Sequence, residues 1–267
     1  MTPDQIHFSV FTKPWKLPLG ELATLVSRLG FDGIELPVRP GFQVEPANVA
    51  HDLPAAVRQL GDHGLTIYSI AGPTDEATIA ACAETGIPMI RIMVPIGPEG
   101  YLASEAAARR KFDALLPLLE TYRVRVGVQN HNGRYVCNAA GLRHLLQGYD
   151  PTLICAVWDA AHTALNGEAP EMALDIVWSH LGMVNLKNAY WQRTNGPEAE
   201  VAEWQPYWTT GRQGLAPWTR VVSELKRRHY HGVVCLTAEY TDEPAVNRLI
   251  AEDLAFARGL FVQGGDS

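Results

Sequence analysis

Short runs of apolar and β-branched residues alternate along the chain with longer segments in which apolar residues recur every three or four positions. The short runs have the length of buried strands, whereas the longer segments have the period of amphipathic helices. The pattern predicts eight strands, at residues 6–11, 33–38, 65–71, 89–95, 124–129, 153–159, 183–187 and 233–239. It also predicts eight helices, at residues 19–29, 49–63, 74–85, 104–122, 138–146, 170–179, 216–230 and 243–261.

Repeated strand–helix units indicate a parallel sheet, because parallel neighbours need a long crossover connection. Eight such units in about 250 residues favour an α/β fold of the closed (β/α)8 type, a TIM barrel, over an open doubly wound sheet. We expect residues 1–267 to form one such domain. The only long irregular stretch is residues 190–214, which contains three tryptophans. Loops of this length in compact domains are usually functional lids or disordered, and the aromatic residues of this one favour a lid.

The amino-acid composition indicates which kinds of partner and which cellular location to expect. The chain has 29 acidic and 22 basic residues, a net charge of −7, and no basic patch that would mark a nucleic-acid partner. Its four cysteines lack metal-site or disulfide spacing, which favours reduced thiols and a cytoplasmic location. We find neither a signal peptide nor an apolar run of the ~18–20 residues that a membrane span needs. We therefore expect a soluble protein without a membrane partner; a homo-oligomer is compatible with the sequence.

Polar side chains cluster at the carboxyl ends of the predicted strands. Strand side chains alternate, so three valines of residues 124–129 face the helices, and Gln129 faces the barrel interior. The same count turns five more polar residues inward, namely Glu35, Asp159, Asn185, Lys187 and Glu239. Active sites of this fold are built at the carboxyl ends of the strands, so these residues mark a candidate site.

Four segments of the chain, in their order and spacing, resemble the xylose-isomerase-like barrel superfamily of sugar (phosphate) isomerases and epimerases. The segments are Phe-Asp-Gly-Ile-Glu-Leu at 31–36, Trp-Asp-Ala-Ala-His at 158–162, Gly-Arg-Gln-Gly at 211–214, and Gly-Val-Val-Cys-Leu-Thr-Ala-Glu-Tyr at 232–240. The resemblance implies a divalent metal held by a Glu, an Asp, a His and a Glu from strands five to eight, with the two glutamates as an acid/base pair. Asp159 and Glu239 match this pattern, whereas Gln129 and Asn185 replace the first Glu and the His.

The two replacements change the expected chemistry. A carboxamide is neutral and cannot take a proton, so Gln129 cannot be a general base. The ligand set implied by the resemblance becomes Gln129, Asp159, Asn185 and Glu239, and such an all-oxygen set suits Mn or Mg better than Zn. We expect weaker metal binding than in the family, and an epimerase mechanism would need another second base.

Candidates for catalysis each have a structural alternative. Glu239 is a candidate acid or base, or one of two hydrogen-bonded carboxylates in a polar barrel mouth. Lys187 could bind a substrate oxygen or accept a proton, or it could form an internal salt bridge. His131 and His162 could each be the missing base, a metal ligand or a residue that orients one, or they could be structural histidines. Glu35 could bind a sugar hydroxyl or act as a base, or it could pair with Arg39 or Arg91.

Substrate binding has three candidates, which are Arg91, Trp191 and Arg212. The loop tryptophans could form an apolar wall under a sugar ring, or they could pack in the core. The glycines around Arg212 could cradle a phosphate through backbone N–H groups, but a short Gly-x-x-Gly segment favours a plain turn.

The leading functional prediction is a metal-assisted isomerase or epimerase that moves a proton next to the carbonyl of a keto-sugar or sugar derivative. A lyase, dehydratase or hydrolase of an oxidised sugar is the first alternative, because it needs only one competent base. A non-catalytic sugar-binding or accessory barrel is the second. Each hypothesis has a small carbohydrate as the partner.

Overall fold

The structure is a computed structural model that describes residues 5–262. Within them, ten strands are numbered in chain order: β1 Ile6–Phe11, β2 Gly33–Pro37, β3 Thr66–Ala71, β4 Met89–Met93, β5 Arg125–Gln129, β6 Ile154–Asp159, β7 Leu181–Leu186, β8 Asn188–Arg193, β9 Trp204–Thr209 and β10 Gly232–Leu236. The α-helices are α1 Leu19–Leu29, α2 Val49–Gly61, α3 Glu76–Thr85, α4 Tyr101–Tyr122, α5 Ala139–Leu146, α6 Ala160–Leu165, α7 Pro170–Val177, α8 Trp218–Arg227 and α9 Val246–Val262.

Eight of the strands form one closed parallel barrel. Their order is β1-β10-β7-β6-β5-β4-β3-β2, and β1 closes the ring because it pairs with both β10 and β2. The predicted (β/α)8 barrel is therefore confirmed. Closure makes neighbours of the first and last strands, which are more than 200 residues apart in sequence.

The predicted alternation of strand side chains holds in β5 and β6. Val126 and Val128 point outward into the large apolar core shared with the helices. Cys155 and Val157 point inward and pack in a smaller apolar cluster inside the barrel, with Met183 from β7. This inner cluster fills much of the barrel below the mouth, and the candidate site residues lie above it, at the carboxyl ends of the strands.

Local sequence sets several helix ends. Asp75 caps the start of α3, where its side chain accepts a hydrogen bond from the backbone N–H of Thr78, and Gly86 caps the end of the same helix with φ at 73°. Asn138 caps α5 in the same way through the N–H of Gly141. These caps satisfy backbone groups that a helix end leaves unpaired. No helix among residues 5–262 is long and apolar enough to cross a membrane.

Two elements were missed by the sequence pattern. The prediction of an irregular stretch at residues 190–214 was wrong, because β8 and β9 form an antiparallel hairpin there. Tyr190 pairs with Tyr207, and their rings stack at 5.0 Å between centroids. The second element is α6, a six-residue helix that starts directly after β6. The proposed role of the hairpin segment as a lid stays a prediction.

Candidate active site

Glu239 lies between two lysines at the barrel mouth. Lys187, just after β7, places Nζ 2.7 Å from Oε2 of Glu239, and Lys13, just after β1, donates a hydrogen bond to Oε1. Burial opposes ionisation of this carboxyl, but the two ammonium groups hold the pKa of Glu239 at about 2. Glu239 is therefore an anion at neutral pH and a weak base. Such a carboxylate is poorly suited to the predicted role of acid or base near neutral pH.

Backbone geometry helps to place Glu239. The preceding Ala238 adopts a left-handed conformation with φ at 51°, which costs a residue with a side chain roughly 1–2 kcal/mol. The strand β10 ends at Leu236, so the regular alternation that would turn Glu239 inward no longer applies there. The bend at Ala238 and the two lysines keep the carboxylate at the mouth instead.

Lys187 is also covered by an aromatic ring. Its Nζ lies 3.8 Å from the centroid of the Trp208 ring on β9, and its side chain is only 6% exposed. A cation over an aromatic face is attracted by the ring, more strongly where water is excluded. The hairpin therefore contributes one wall of the site. Of the roles considered for Lys187, the structure shows the ion pair with Glu239.

A chain of hydrogen bonds crosses the mouth on the opposite side. Both carboxylate oxygens of Glu35 on β2 accept a hydrogen bond from the Nε of Arg91 at 2.8 Å. Glu35 also accepts one from the hydroxyl of Ser69 at 3.0 Å. Arg91 on β4 donates through Nη1 to Oε1 of Gln129, whose Nε2 donates to Oδ2 of Asp159 at 2.8 Å. All of these side chains, including that of Ser69, are 5% exposed or less.

This chain fixes the orientation of the amide of Gln129. Arginine can only donate, so the oxygen of Gln129 must face Arg91 and its nitrogen must face Asp159. The carboxylate of Glu35 accepts hydrogen bonds from both Arg91 and Ser69. Pairing with Arg91 is one of the structural alternatives considered for Glu35. The candidate substrate-binding residue Arg91 likewise spends its donors on Glu35 and Gln129.

Asp159 joins the barrel to α6. Its Oδ1 accepts hydrogen bonds from the backbone N–H groups of Ala161 and His162, at 3.0 and 3.1 Å. This capping bond explains why a helix follows β6 at once. Burial raises the pKa of Asp159, although the charge of Lys187 and the hydrogen bond from His162 oppose the rise.

The two candidate histidines contact each other at the mouth, with their ring planes tilted by 38°. Their ring centroids are 4.0 Å apart, and the ring of Trp208 meets that of His162 edge-on at 5.3 Å. His162 is completely buried, and neither ring nitrogen has a hydrogen-bond partner among residues 5–262. Burial lowers its pKa well below the usual value, and the charge of Lys187 adds to this. His162 is therefore a neutral ring beneath the site.

His131 is better placed to exchange protons. Its Nδ1 lies 2.9 Å from the backbone carbonyl oxygen of Asn132, which can only accept a hydrogen bond, so Nδ1 carries the proton and Nε2 keeps a lone pair. Burial lowers the pKa of His131, and the nearby charge of Lys187 also lowers it, while the bond to Asn132 acts in the opposite direction. The ring is therefore neutral at pH 7.

Two connected spaces open above these residues. A cleft of about 650 Å³ is lined by Lys13, His131, Lys187, Trp208 and Glu239 among others. A smaller inner cavity of about 50 Å³ lies deeper and shares Lys13, His131 and Glu239 with the cleft. Asn185 lines the inner cavity, is completely buried, and has no hydrogen-bond partner for either amide atom within the described part of the chain.

Two sequence-predicted residues lie elsewhere. The guanidinium of Arg212 packs over the ring of Phe256 on α9 at 3.7 Å. Trp191 is on the hairpin, where its Nε1 donates to the carbonyl of Leu165 and its side chain is partly exposed. Among the described residues, the cleft and the inner cavity are lined by others. Both residues make local contacts in this structure, and their roles in substrate binding stay predictions.

Sequence reasoning missed Lys13. The signal was present, since Lys13 follows β1 by two residues and thus stands at the carboxyl end of a barrel strand, as the other site residues do. Lysine is usually exposed, so its position alone did not mark it. Its role became visible only when barrel closure placed β1 beside β10.

The four oxygen donors implied by the resemblance do not fit a divalent cation in this arrangement. Both amide atoms of Gln129 and both carboxylate oxygens of Glu239 already bind other side chains. Two unit charges 4 Å apart interact by about 4 kcal/mol at an effective dielectric of about 20, so a divalent ion at that distance from Lys187 would be opposed by about 8 kcal/mol. Among residues 5–262, no group of three or more His, Cys, Asp and Glu side chains is arranged to hold a metal. Lys13 and Lys187 supply the positive charge beside Glu239 instead.

Several solved structures of other proteins have a similar fold. A solved structure of D-psicose 3-epimerase with D-tagatose from Clostridium cellulolyticum H10 superposes with a TM-score of 0.73 at 13% identity, covering 96% of this chain and 99% of that one. For 3-keto-D-glucoside 4-epimerase from E. coli, in its apo form, the TM-score is 0.71 at 15% identity, with 96% and 100% covered. For the probable 3-DHS dehydratase involved in petrobactin synthesis from Bacillus anthracis, the values are 0.69, 12%, 93% and 98%.

At these identities the structural likeness shows the fold alone. None of the curated protein sequences matches this chain. The sequence model of one family does match, as a xylose isomerase-like TIM barrel, over residues 23–260. Because the match spans most of the chain, the protein belongs to the xylose isomerase-like TIM barrel family.

Proposed function

We propose that the protein is an enzyme that moves a proton at the carbon next to the carbonyl of a small sugar derivative, by means of His131 and two lysines. The observation that carries this proposal is the shared cleft. A neutral His131 and the Lys13–Glu239–Lys187 group line the same space of about 650 Å³ at the carboxyl ends of the strands. Family membership and the solved epimerase and dehydratase folds support the class of chemistry.

His131 is the proposed base. Its Nε2 lone pair is available because Asn132 holds the proton on Nδ1. In the reaction, Nε2 takes the proton from the carbon, and the electron pair moves onto the carbonyl oxygen to give an enediolate. Glu239 cannot share this role effectively at neutral pH, because a carboxylate with a pKa of about 2 has little affinity for a proton.

The two lysines are the proposed stabilisers of the enediolate. An ammonium group has three N–H donors, so Lys187 can keep its bond to Glu239 and still donate to a substrate oxygen. Trp208 covers Lys187 and excludes water, which strengthens the attraction between the ammonium and an oxyanion. Glu239 acts as the anchor that fixes both ammonium groups in place. The divalent Mn or Mg predicted from the resemblance has no step in this mechanism.

A single base favours some reactions over others. Inverting a carbon requires proton removal on one face and delivery on the other, whereas isomerisation between adjacent carbons can use one base on one face. Among the described residues that line the cleft, His131 is the one side chain with a lone pair suited to proton transfer near pH 7. We therefore place isomerisation first and elimination of water or another leaving group second.

The test is proton exchange in D2O, followed by NMR, with D-fructose, D-tagatose and 2-keto-D-gluconate as probes. The enzyme is dialysed against EDTA first. Deuterium at the carbon next to the carbonyl, lost in His131→Gln and retained in the exposed control His51→Gln, is the expected result. The appearance of a dehydrated product would select the elimination reaction.

Two results would contradict the proposal. Exchange that vanishes after EDTA treatment and returns with Mn²⁺ would show that a metal, rather than the lysines, stabilises the enediolate. Binding of a sugar without any exchange or product would favour the non-catalytic sugar-binding barrel. A pH profile gives a further check, because the rate should fall as acid protonates His131, through a pKa below 6.5.

A further inference from the structure

The charges around the inner cavity do not balance. Arg91 is matched by Glu35, and Lys187 by Glu239. Lys13 shares the same Glu239 carboxylate, so one carboxylate faces two ammonium groups. Asp159 lies below, where its oxygens accept hydrogen bonds from Gln129 and from the start of α6. When ionised it offsets the second ammonium group, so the surplus positive charge comes from Arg39.

Arg39 adds a further positive charge. It lies in the loop after β2, is half-buried, and lines the inner cavity. Its guanidinium has no hydrogen bond or ion pair within residues 5–262, and its Cζ lies 5.8 Å from the centroid of the Phe11 ring. Burial lowers the pKa of Arg39 and the charge of Arg91 lowers it further, while the more weakly acting carboxylates of Glu35 and Glu239 oppose the shift. Neither carboxylate is hydrogen-bonded to Arg39, so its planar group of donors is left without a directly bound anion.

Asn185 is a second, independent sign of a missing ligand. It is completely buried and lines the same inner cavity, yet both its Oδ1 and its Nδ2 lack partners in the described structure. Leaving a buried polar group unpaired costs about 1–3 kcal/mol, so native structures normally provide a partner. The amide faces a polar cavity, where a ligand group with both donors and acceptors would satisfy it.

The size and walls of the cavity restrict that ligand group. Its volume of about 50 Å³ admits a small polar group, and the apolar side chains of Phe11 and Met93 form part of its wall. Cations in such partly dry surroundings attract an anion more strongly than they would in water. A carboxylate is planar, carries one charge, and matches the guanidinium fork in two parallel hydrogen bonds.

We propose that the inner cavity binds the carboxylate of an acidic sugar or sugar-derived keto acid, with Arg39 and Lys13 as its cationic partners. Asn185 then hydrogen-bonds the part of the substrate next to the carboxylate. The inference rests on the proposed function, because it assigns the substrate class of that site. It places the acid group in the inner cavity and the reacting carbons in the wider cleft beside His131.

The test measures binding without turnover, so that it is separate from the test of catalysis. Isothermal titration of the full chain uses D-gluconate, which has no carbonyl group to react, and D-glucitol, which replaces the carboxylate with a neutral CH2OH. We expect gluconate to bind at least about tenfold more tightly, as a charge-assisted hydrogen bond implies. Arg39→Met should remove this preference, Arg39→Lys should restore part of it, and the surface control Arg220→Met should keep it.

Three results would overturn the proposal. Equal affinity for gluconate and glucitol would show that the cavity does not select a carboxylate. Unchanged gluconate binding in a folded Arg39→Met variant would show that Arg39 is not its partner. Tighter binding of D-glucitol 6-phosphate than of gluconate, lost in Arg39→Met, would assign the cations to a phosphate. Acid selectivity without proton exchange would refute the proposed reaction while leaving the substrate class intact.

Discussion

The ion pair between Glu35 and Arg91 offers a stability test of the hydrogen-bonded chain that crosses the barrel mouth. Glu35 is completely buried, and the side chain of Arg91 is only 4% exposed. Arg91→Met leaves a buried carboxylate without its cation, which typically costs about 3–5 kcal/mol. Unfolding entropy of about 2.1 cal/mol/K per residue gives about 0.56 kcal/mol/K for 267 residues, so a loss of about 4 kcal/mol lowers Tm by about 7 °C.

The double variant separates the pair from its surroundings. In Glu35→Met/Arg91→Met both charges are gone, so the large penalty for an unpaired charge disappears with them. The remaining cost is about 1–3 kcal/mol, because Gln129 loses a donor and Ser69 an acceptor. Urea unfolding of the wild type, both single variants and the double variant measures the coupling. A double variant that loses the full sum of the two single losses would refute the reasoning.

Two further predictions concern buried polar side chains. The unfolded chain protonates His162 near pH 6.5, whereas the folded protein keeps it neutral to a much lower pH. Because of this residue, the free energy of unfolding should fall by about 1.4 kcal/mol between pH 7.5 and pH 5.5. The variant His162→Asn should reduce this fall, whereas the exposed control His51→Asn should not. Asn188 binds the carbonyls of Gly211 and Ala216 and the N–H of Ala216. Asn188→Ala should lower the free energy of unfolding, measured in urea, by about 2–3 kcal/mol. A loss below about 0.5 kcal/mol would show that these hydrogen bonds do not stabilise the loop.

The barrel and the location of its site could be predicted from sequence because both depend on short-range patterns. The valines of β5 and the inward cysteine and valine of β6 follow the two-residue period of a strand. Asp159 ends its strand, so its place at the mouth follows from the fold alone. The hairpin of β8 and β9 was harder to predict, because β9 contains a proline and the two strands are joined by a polar stretch that is typical of loops.

The partners of the site residues could not be predicted, because they depend on contacts between distant parts of the chain. Lys13 and Glu239 are 226 positions apart, and Lys187 and Glu239 are 52 apart. Closure of the barrel makes β1 and β7 the two neighbours of β10, which brings both lysines to one carboxylate. Sequence reasoning could place Lys187 on the inner face, but the choice between a substrate contact and an ion pair needed the structure.

Charge balance links the two amide replacements to the two lysines. The pattern implied by the family resemblance has three carboxylates around a divalent ion, which leaves a net charge of about −1. In this protein an amide replaces one carboxylate, and Asp159 and Glu239 remain beside Lys13 and Lys187. With both carboxyls ionised, the net charge of these four side chains is about zero. The two lysines thus supply the same positive charge as a divalent ion, and no ion has to be bound. Replacing Gln129 by Glu would not reverse this exchange, because Arg91 already donates to that side chain and Lys187 would still repel an incoming cation.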